Sequence, residues 1–84
     1  MTRGTMAHQV STREELVHFI ESLLSDFRTN PAGWENGDLE HFLEAMAGWI
    51  EDMDGYYART AEDLNQLSPW RVLADILEAA KSYE

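Results

Sequence analysis

The clearest indication of the fold is the segment 39–53, whose sequence is LEHFLEAMAGWIEDM. Its large apolar side chains recur at steps of three and four residues: Leu39, Phe42, Leu43, Met46, Trp49, Ile50 and Met53. Because an α-helix has about 3.6 residues per turn, this spacing places them on one face. The segment therefore predicts an amphipathic helix whose apolar face packs inward.

Residues on either side of this segment indicate where the helix begins and ends. Asn36 or Asp38 can accept hydrogen bonds from the first free backbone amides, as helix-capping side chains do. Gly55 follows Asp54 and suits the left-handed position that ends many helices. The second helix is therefore predicted to end at residues 54–55.

A first helix is predicted upstream of this segment. Residues 11–14, Ser-Thr-Arg-Glu, fit a capping box with the start at Ser11 or Thr12. The apolar stripe that follows is Leu16, Ile20, Leu23, Leu24 and Phe27, flanked by Phe19. The helix is expected to end at Asn30-Pro31, since a residue before proline is pushed out of the helical region. The turn-rich connection 31–37 is expected to hold Trp34 against the bundle.

A third helix is predicted to open at Ser68-Pro69, where a capping hydroxyl precedes a proline at the first helical position. Its expected inner face is Trp70, Leu73, Ile76, Leu77 and Ala80, with Tyr83 at the edge. Residues 56–67 leave two alternatives. Thr60 to Asp63 cap a short helical turn with Leu64 and Leu67 packing inward, or the segment is an irregular loop.

These elements predict an all-α fold, a small bundle of three main helices with a short extra helical turn as an option between the second and third. Residues 1–10 are polar and aperiodic, and they are predicted to be a disordered tail. Residues 11–84 are predicted to form one helical domain, which suits a chain of 84 residues.

Composition narrows the classes of partner. Sixteen acidic and six basic residues give a net charge of −10, which disfavours nucleic acid and anionic membranes. The chain has no cysteine, which excludes disulfides and zinc-thiolate sites, and no apolar run of transmembrane length. A cytoplasmic protein is expected. The acidic surface suits a basic protein partner, or serves solubility alone.

A metal site is one hypothesis for the acidic segment at the end of the second helix, where Glu51, Asp52 and Asp54 precede Gly55. An EF-hand loop needs acids at its first and twelfth positions, and this register puts Ile50 and an alanine there. A weak divalent site and a solvated helix end are the alternatives.

No residue pattern indicates catalysis or a cofactor. His18 and His41 lie three residues after an acid, a spacing used in di-iron bundles, but both fall away from the apolar stripes and are expected to face water. The chain has no cysteine nucleophile and no glycine-rich phosphate loop. We therefore expect a protein that is not an enzyme and that holds no cofactor.

Three tryptophans, three tyrosines and three phenylalanines are many for so short a chain. Four of them fall at predicted helix ends or in connections: Trp34, Tyr56, Tyr57 and Trp70. They either plug the ends of the bundle or form the rim of a binding surface. Arg71 is expected to pair with Asp75, and with Asp52 or Asp54, and so to fix the third helix; an anion-binding role is the alternative.

The outward ridge of the second helix carries Glu40, Glu44, Gly48 and Glu51. Glu40 and Glu44 repel one another at a spacing of one turn, and a glycine inside a helix is unfavourable. Such a ridge favours contact with a basic partner or with a second copy at Gly48. An ordinary solvated face is the alternative.

Four short motifs in order resemble a family of small bacterial proteins classified only as a domain of unknown function. They are Trp34-Glu35-Asn36, Phe42-Leu43-Glu44-Ala45, the stretch from Trp49 to Tyr57, and Trp70-Arg71 followed by Ala74-Asp75, Ala79-Ala80-Lys81 and Tyr83-Glu84. The resemblance extends over about residues 12–84. It implies a free-standing bacterial protein or a small module, and it implies no activity.

Three functional hypotheses follow. The first is a protein-interaction module that presents acidic and aromatic side chains, in one version neutralising a basic protein such as a nuclease. Its candidate residues are Trp34, Glu40, Glu44, Glu51, Tyr56, Tyr57, Trp70 and Arg71. The second is a divalent-metal protein or enzyme that uses the carboxylates near Asp52 and Asp54. The third is a structural homodimer without a ligand.

Overall fold

The computed structural model describes residues 6–82, and this part of the chain is helical without any strand. It has three α-helices: α1 (Arg13–Thr29), α2 (Leu39–Arg59) and α3 (Pro69–Ala80). Three single turns of 3₁₀ helix, Ala7–Gln9, Pro31–Gly33 and Leu64–Gln66, precede or connect them. The predicted all-α bundle with an extra turn between α2 and α3 is confirmed.

The start of α1 is fixed by a capping box that lies one residue later than the pattern 11–14 suggested. The Thr12 hydroxyl accepts from the Glu15 amide at 3.1 Å, and the Glu15 carboxylate accepts from the Thr12 amide at 3.2 Å. The Ser11 amide and hydroxyl also donate to Glu15, at 2.8 and 2.9 Å. These bonds, those of Ser11 first, lower the pKa of Glu15. Three donors, two backbone amides and one hydroxyl, therefore share one carboxylate oxygen of Glu15.

Helix α2 begins at the Asp38 cap, whose carboxylate accepts from the His41 amide at 3.2 Å. The prediction that it ends at Gly55 is wrong, because the helix continues to Arg59. The added turn carries Tyr57 into the core. That burial outweighs the cost of about 1 kcal/mol for glycine inside a helix.

The end of α2 is a Schellman motif built on an alanine. The Ala61 amide donates to the Ala58 carbonyl at 3.3 Å, and the Glu62 amide donates to the Tyr57 carbonyl at 3.0 Å. Ala61 has a φ of 59°, the left-handed conformation that usually belongs to glycine. The helix therefore ends at a strained residue instead of at Gly55.

The connection from α2 to α3 follows the predicted turn. Asp63 caps the turn Leu64–Gln66, and Leu64 and Leu67 are half-buried against the core. The Ser68 hydroxyl then accepts from the Arg71 amide at 3.1 Å, with Pro69 at the first helical position. Both features of the α3 start are as predicted.

Helix α3 occupies the centre of the molecule. It packs against α1, against α2 and against the turn at Ala7–Gln9, while α1 and α2 have little contact with each other. One core cluster joins Leu16 and Phe19 of α1 to Ala74 of α3. A second cluster joins Trp49 and Tyr57 of α2 to Ile76 of α3. The two outer helices therefore rest on opposite sides of a shared central helix.

The segment before α1 differs from the predicted disordered tail. Ala7 and Val10 are fully buried and belong to the cluster that contains Phe19. The Ala7–Gln9 turn packs against α3, and the two side chains share the cluster that joins α1 to α3. The remainder of the predicted tail, residues 1–5, and Tyr83 lie outside the described residues.

None of the helices within residues 6–82 has the length and apolar character needed to cross a membrane.

Candidate functional site

An open apolar groove lies between α1 and α2, in the space that their separation leaves above α3. Its volume is about 390 Å³. One wall belongs to α1, the other to the start of α2, and Leu77 of α3 lies on the floor. The full lining is Ile20, Leu23, Leu24, Phe27, Trp34, Asn36, Gly37, Asp38, Leu39, Phe42 and Leu77.

Several groove residues were predicted to be core and are instead open to solvent. Leu24 is 47% exposed and Leu39 is 71% exposed. Phe19, predicted to flank the α1 stripe, is only 2% exposed and lies at its buried centre. The apolar stripe of α1 is wider than one neighbouring helix can cover, so its Ile20–Leu24 edge stays uncovered.

Trp34 closes one end of the groove and is held there from several sides. Its ring lies 5.2 Å from that of Phe27, edge to face, and 6.1 Å from that of Phe42, stacked. Its indole Nε1 donates to Asp26 Oδ2 at 2.7 Å. The Lys81 ammonium lies 5.5 Å from the ring centroid and 3.1 Å from the same carboxylate oxygen. The Trp34 bond and then Lys81 lower the pKa of Asp26.

The loop that carries Trp34 is also tied to the end of α3. The Asn36 amide donates to the Lys81 carbonyl, and the Asn36 side chain donates to the Ala80 carbonyl, both at 3.0 Å. These bonds use carbonyls that the last turn of α3 leaves unpaired. The end wall of the groove is therefore preformed.

The groove continues onto an exposed apolar ridge along α2, formed by Leu39, Leu43 and Ile50. All three were predicted to face the core. A glutamate follows each of them, namely Glu40, Glu44 and Glu51, and all three glutamates are exposed. Because successive residues lie about 100° apart around a helix, the acidic ridge runs beside the apolar ridge.

His41 lies at the start of α2, beside the groove, and faces water as predicted. Its imidazole Nδ1 pairs with the Asp38 carboxylate. This contact raises the pKa of His41 and lowers the pKa of Asp38. The groove rim therefore carries a histidine whose protonated form is favoured by the neighbouring Asp38 carboxylate.

At the other end of the molecule a buried polar network joins α2 to α3. The Tyr57 hydroxyl donates to Asp75 Oδ2 at 2.6 Å, and Arg71 Nε donates to the same oxygen at 3.1 Å. The two terminal nitrogens of Arg71, Nη1 and Nη2, also contact the Glu62 carboxylate oxygens Oε2 and Oε1, each at 3.0 Å. Burial and then the bond to Asp75 raise the pKa of Tyr57. The predicted Arg71–Asp75 pair is confirmed.

Two details of the predicted arginine site need correction. The second acid that meets Arg71 is Glu62, from the turn after α2, and not Asp52 or Asp54. Arg71 and Tyr57 were also candidates for partner contact, but Tyr57 is 2% exposed and the Arg71 side chain is mostly buried. Both residues therefore hold α3 in place through buried contacts and do not contribute to a surface that a partner could reach.

The other aromatic candidates also pack against the core. Tyr56 is half-buried, with its ring 5.4 Å from that of Trp49. Trp70 is half-buried against the cluster of Leu16 and Phe19. Among the four aromatic candidates, only Trp34 lines the groove.

The proposed metal ligands do not form a coordination site. Among the described residues, no group of three or more acidic or histidine side chains could hold a metal ion. Glu51 and Asp52 instead line a second pocket with Tyr56 and Arg59, and the Arg59 guanidinium supplies a positive charge there. Asp54 does not line it.

Two helices packed on a central α3, with an apolar groove and a glutamate ridge beside it, define a small helical protein with an open apolar surface. The chain belongs to a family described as a family of unknown function, DUF7660, whose sequence model matches residues 12–84. This match confirms the resemblance seen in the sequence. No curated protein and no solved structure matches the chain. The match begins at the Thr12 cap, so the buried Ala7 and Val10 lie outside it.

Proposed function

We propose that this chain is a protein-interaction module that binds a basic partner protein through the groove and the adjoining glutamate ridge. The observation that carries the proposal is the apolar groove of about 390 Å³, open between α1 and α2 and closed at one end by the fixed Trp34. Contiguous exposed apolar surface rimmed by polar residues is typical of interaction sites. An almost wholly apolar lining suits binding better than chemistry.

The charge of the chain supports a basic partner. The net charge is −10, and three of the five lysines and arginines within residues 6–82 already pair with acids. Arg13 pairs with Glu14, Arg71 lies inside the polar network, and Lys81 pairs with Asp26. The glutamates along α2 therefore face solvent as an unbalanced negative field, which speeds association with a positive surface at low salt.

The two other hypotheses have less support. A divalent-metal role has no ligand cluster behind it in residues 6–82. A homodimer through the groove would bring together two chains that each carry −10, which opposes self-association at low salt. A bacterial cytoplasmic location stays part of the proposal and rests on the resemblance and the composition.

Photo-crosslinking in the native cells tests the proposal. A photoreactive amino acid at Leu39, in the groove, is compared with the same group at His18, which is exposed on the far side of α1. We expect a discrete adduct with a basic protein from position 39 and none from position 18. Equal labelling from both positions, or no adduct from position 39, would contradict the proposal.

A further inference from the structure

Resting on the proposed function, we infer that the occupant of the groove is a basic amphipathic helix of two to three turns, which docks as a fourth helix of the bundle.

The shape of the groove fits a helix. Each wall is itself a helix, and both walls rest on α3 without closing on one another. The α1 wall extends from Ile20 to Phe27, which at about 1.5 Å per residue is roughly 10 Å, or two helical turns. A helix laid there would contact α1, α2 and Leu77 of the floor, as neighbouring helices do in a four-helix bundle. Its anchors would be apolar residues at spacings of three, four and seven.

An extended strand fits less well. Residues 6–82 offer no strand edge with which a peptide backbone could pair. A strand pressed against Leu24, Leu39 and Phe42 would bury amide and carbonyl groups against side chains that cannot bond to them, and each such group is costly. A helix satisfies its own backbone and presents only side chains to the groove.

The flanking charges specify the polar face of the occupant. Ile20 on one wall and Leu39 on the other are each followed by an exposed glutamate, Glu21 and Glu40. Further along α2, Glu44 repeats the pattern after Leu43. A docked helix whose apolar residues enter the groove would therefore hold its flanking residues beside carboxylates on both walls. Lysine or arginine at those positions complements them.

Designed peptides test the inference directly. The probe is a peptide of about 15 residues with leucines at helical spacing and lysines on the other face. One control peptide has the same composition in scrambled order, and another replaces every lysine with glutamate. Binding to the full chain is measured by fluorescence anisotropy, and peptide helicity by circular dichroism. We expect the probe to gain helicity on binding and to bind at least about tenfold more tightly than either control, a difference of about 1.4 kcal/mol.

Variants of the chain locate the binding surface. The double variant Leu24→Gln/Leu39→Gln removes exposed apolar groups without changing charge, and it should weaken binding of the probe at least about tenfold. The matched control is Leu73→Gln, an exposed leucine outside the groove lining, which should bind as the natural chain does. The variant Glu40→Gln/Glu44→Gln should bind more weakly at low salt and show a smaller salt dependence.

Each contrary result has one meaning. Equal binding of the scrambled peptide shows attraction by bulk charge alone and overturns the helix, and equal binding of the acidic peptide overturns the charge requirement. A sedimenting dimer that Leu24→Gln/Leu39→Gln disrupts makes the occupant a second copy. If no peptide binds while crosslinks still form at position 39, the helix inference fails and the interaction module stands. If the crosslinks also fail, both are rejected.

Discussion

The two ends of this small bundle differ in how far their side chains are covered: a polar network is buried at one end, and an apolar groove is open to solvent at the other. Where α2 ends and α3 begins, Tyr57, Asp75, Arg71 and Glu62 satisfy one another in a buried network. Where α1 ends and α2 begins, aromatic and aliphatic side chains surround a groove that no part of residues 6–82 fills. The closed end uses its polar groups to fix α3, and the open end keeps apolar surface exposed. The groove therefore lies beside a core whose buried polar groups are satisfied, which is what the proposed binding of a partner requires.

The largest effect is expected at the closed end. Asp75→Ala removes the acceptor of the Tyr57 hydroxyl and one partner of the buried Arg71, so it should lower the free energy of unfolding by about 3–5 kcal/mol. Urea unfolding measures the change. Tyr57→Phe is a milder test, because it removes only the hydroxyl and should cost about 1–2 kcal/mol. A loss below about 0.5 kcal/mol for Asp75→Ala would show that the network does not stabilise the fold.

Two variants of α1, one in the core and one in the groove, compare how much each side chain stabilises the fold. Phe19→Ala should cost about 3–5 kcal/mol, since it opens a cavity beside Ala74. Leu24→Ala, one turn or so further along the same helix, should cost about 1 kcal/mol or less because the side chain is half in water. Thermal or urea unfolding of the two variants under one set of conditions gives the comparison. Equal losses would mean that Leu24 is core and the groove is closed in solution.

The end of α2 offers a stabilising change. Ala61→Gly should raise the free energy of unfolding by about 1 kcal/mol, because glycine accepts the left-handed conformation without a steric penalty. The control is Ala47→Gly, in the interior of the same helix, which should lower stability by about 1 kcal/mol. If both variants lose stability, the Schellman geometry at Ala61 is not the conformation in solution.

The smallest expected effect is the pH dependence of folding stability that His41 contributes at the groove rim. The Asp38 carboxylate raises the pKa of His41, so the folded state binds that proton more tightly than the unfolded chain. The resulting stabilisation is present in full below about pH 6.5 and is lost as the pH rises through the folded-state pKa of His41. Asp38→Asn keeps a good helix cap and should return the His41 pKa toward about 6.5. An NMR titration of the His41 ring reports this; an unchanged pKa in the variant would exclude Asp38 as the cause.

Much of the fold could be predicted from the sequence because it depends on local rules. Pro31, Ser68 and Pro69 act within a turn of their own positions, and the helix limits they indicate agree with the structure. The end of α2 could not be predicted in this way. Gly55 is a suitable stop by local preference, but burying Tyr57 two residues later favours another turn. Competition between local preference and packing is visible only in three dimensions.

The groove could not be predicted because periodicity shows which side chains share a face, not whether another element covers it. Leu39 and Ile20 fit the apolar stripes as well as Leu16 does, yet only Leu16 is buried. The width of both stripes is the one indication in the sequence, since three helices offer little surface to cover them. Val10 was missed for the opposite reason. One apolar residue in a polar segment has no periodicity, although it is buried against the core.

The most direct test is a backbone NMR titration of the full chain with the basic amphipathic peptide, which follows both ends of the bundle at once. We predict chemical-shift changes at Ile20, Leu24 and Leu39, with the amides of Tyr57 and Arg71 unchanged. Shift changes spread evenly over acidic positions at both ends, or none at the groove, would contradict it.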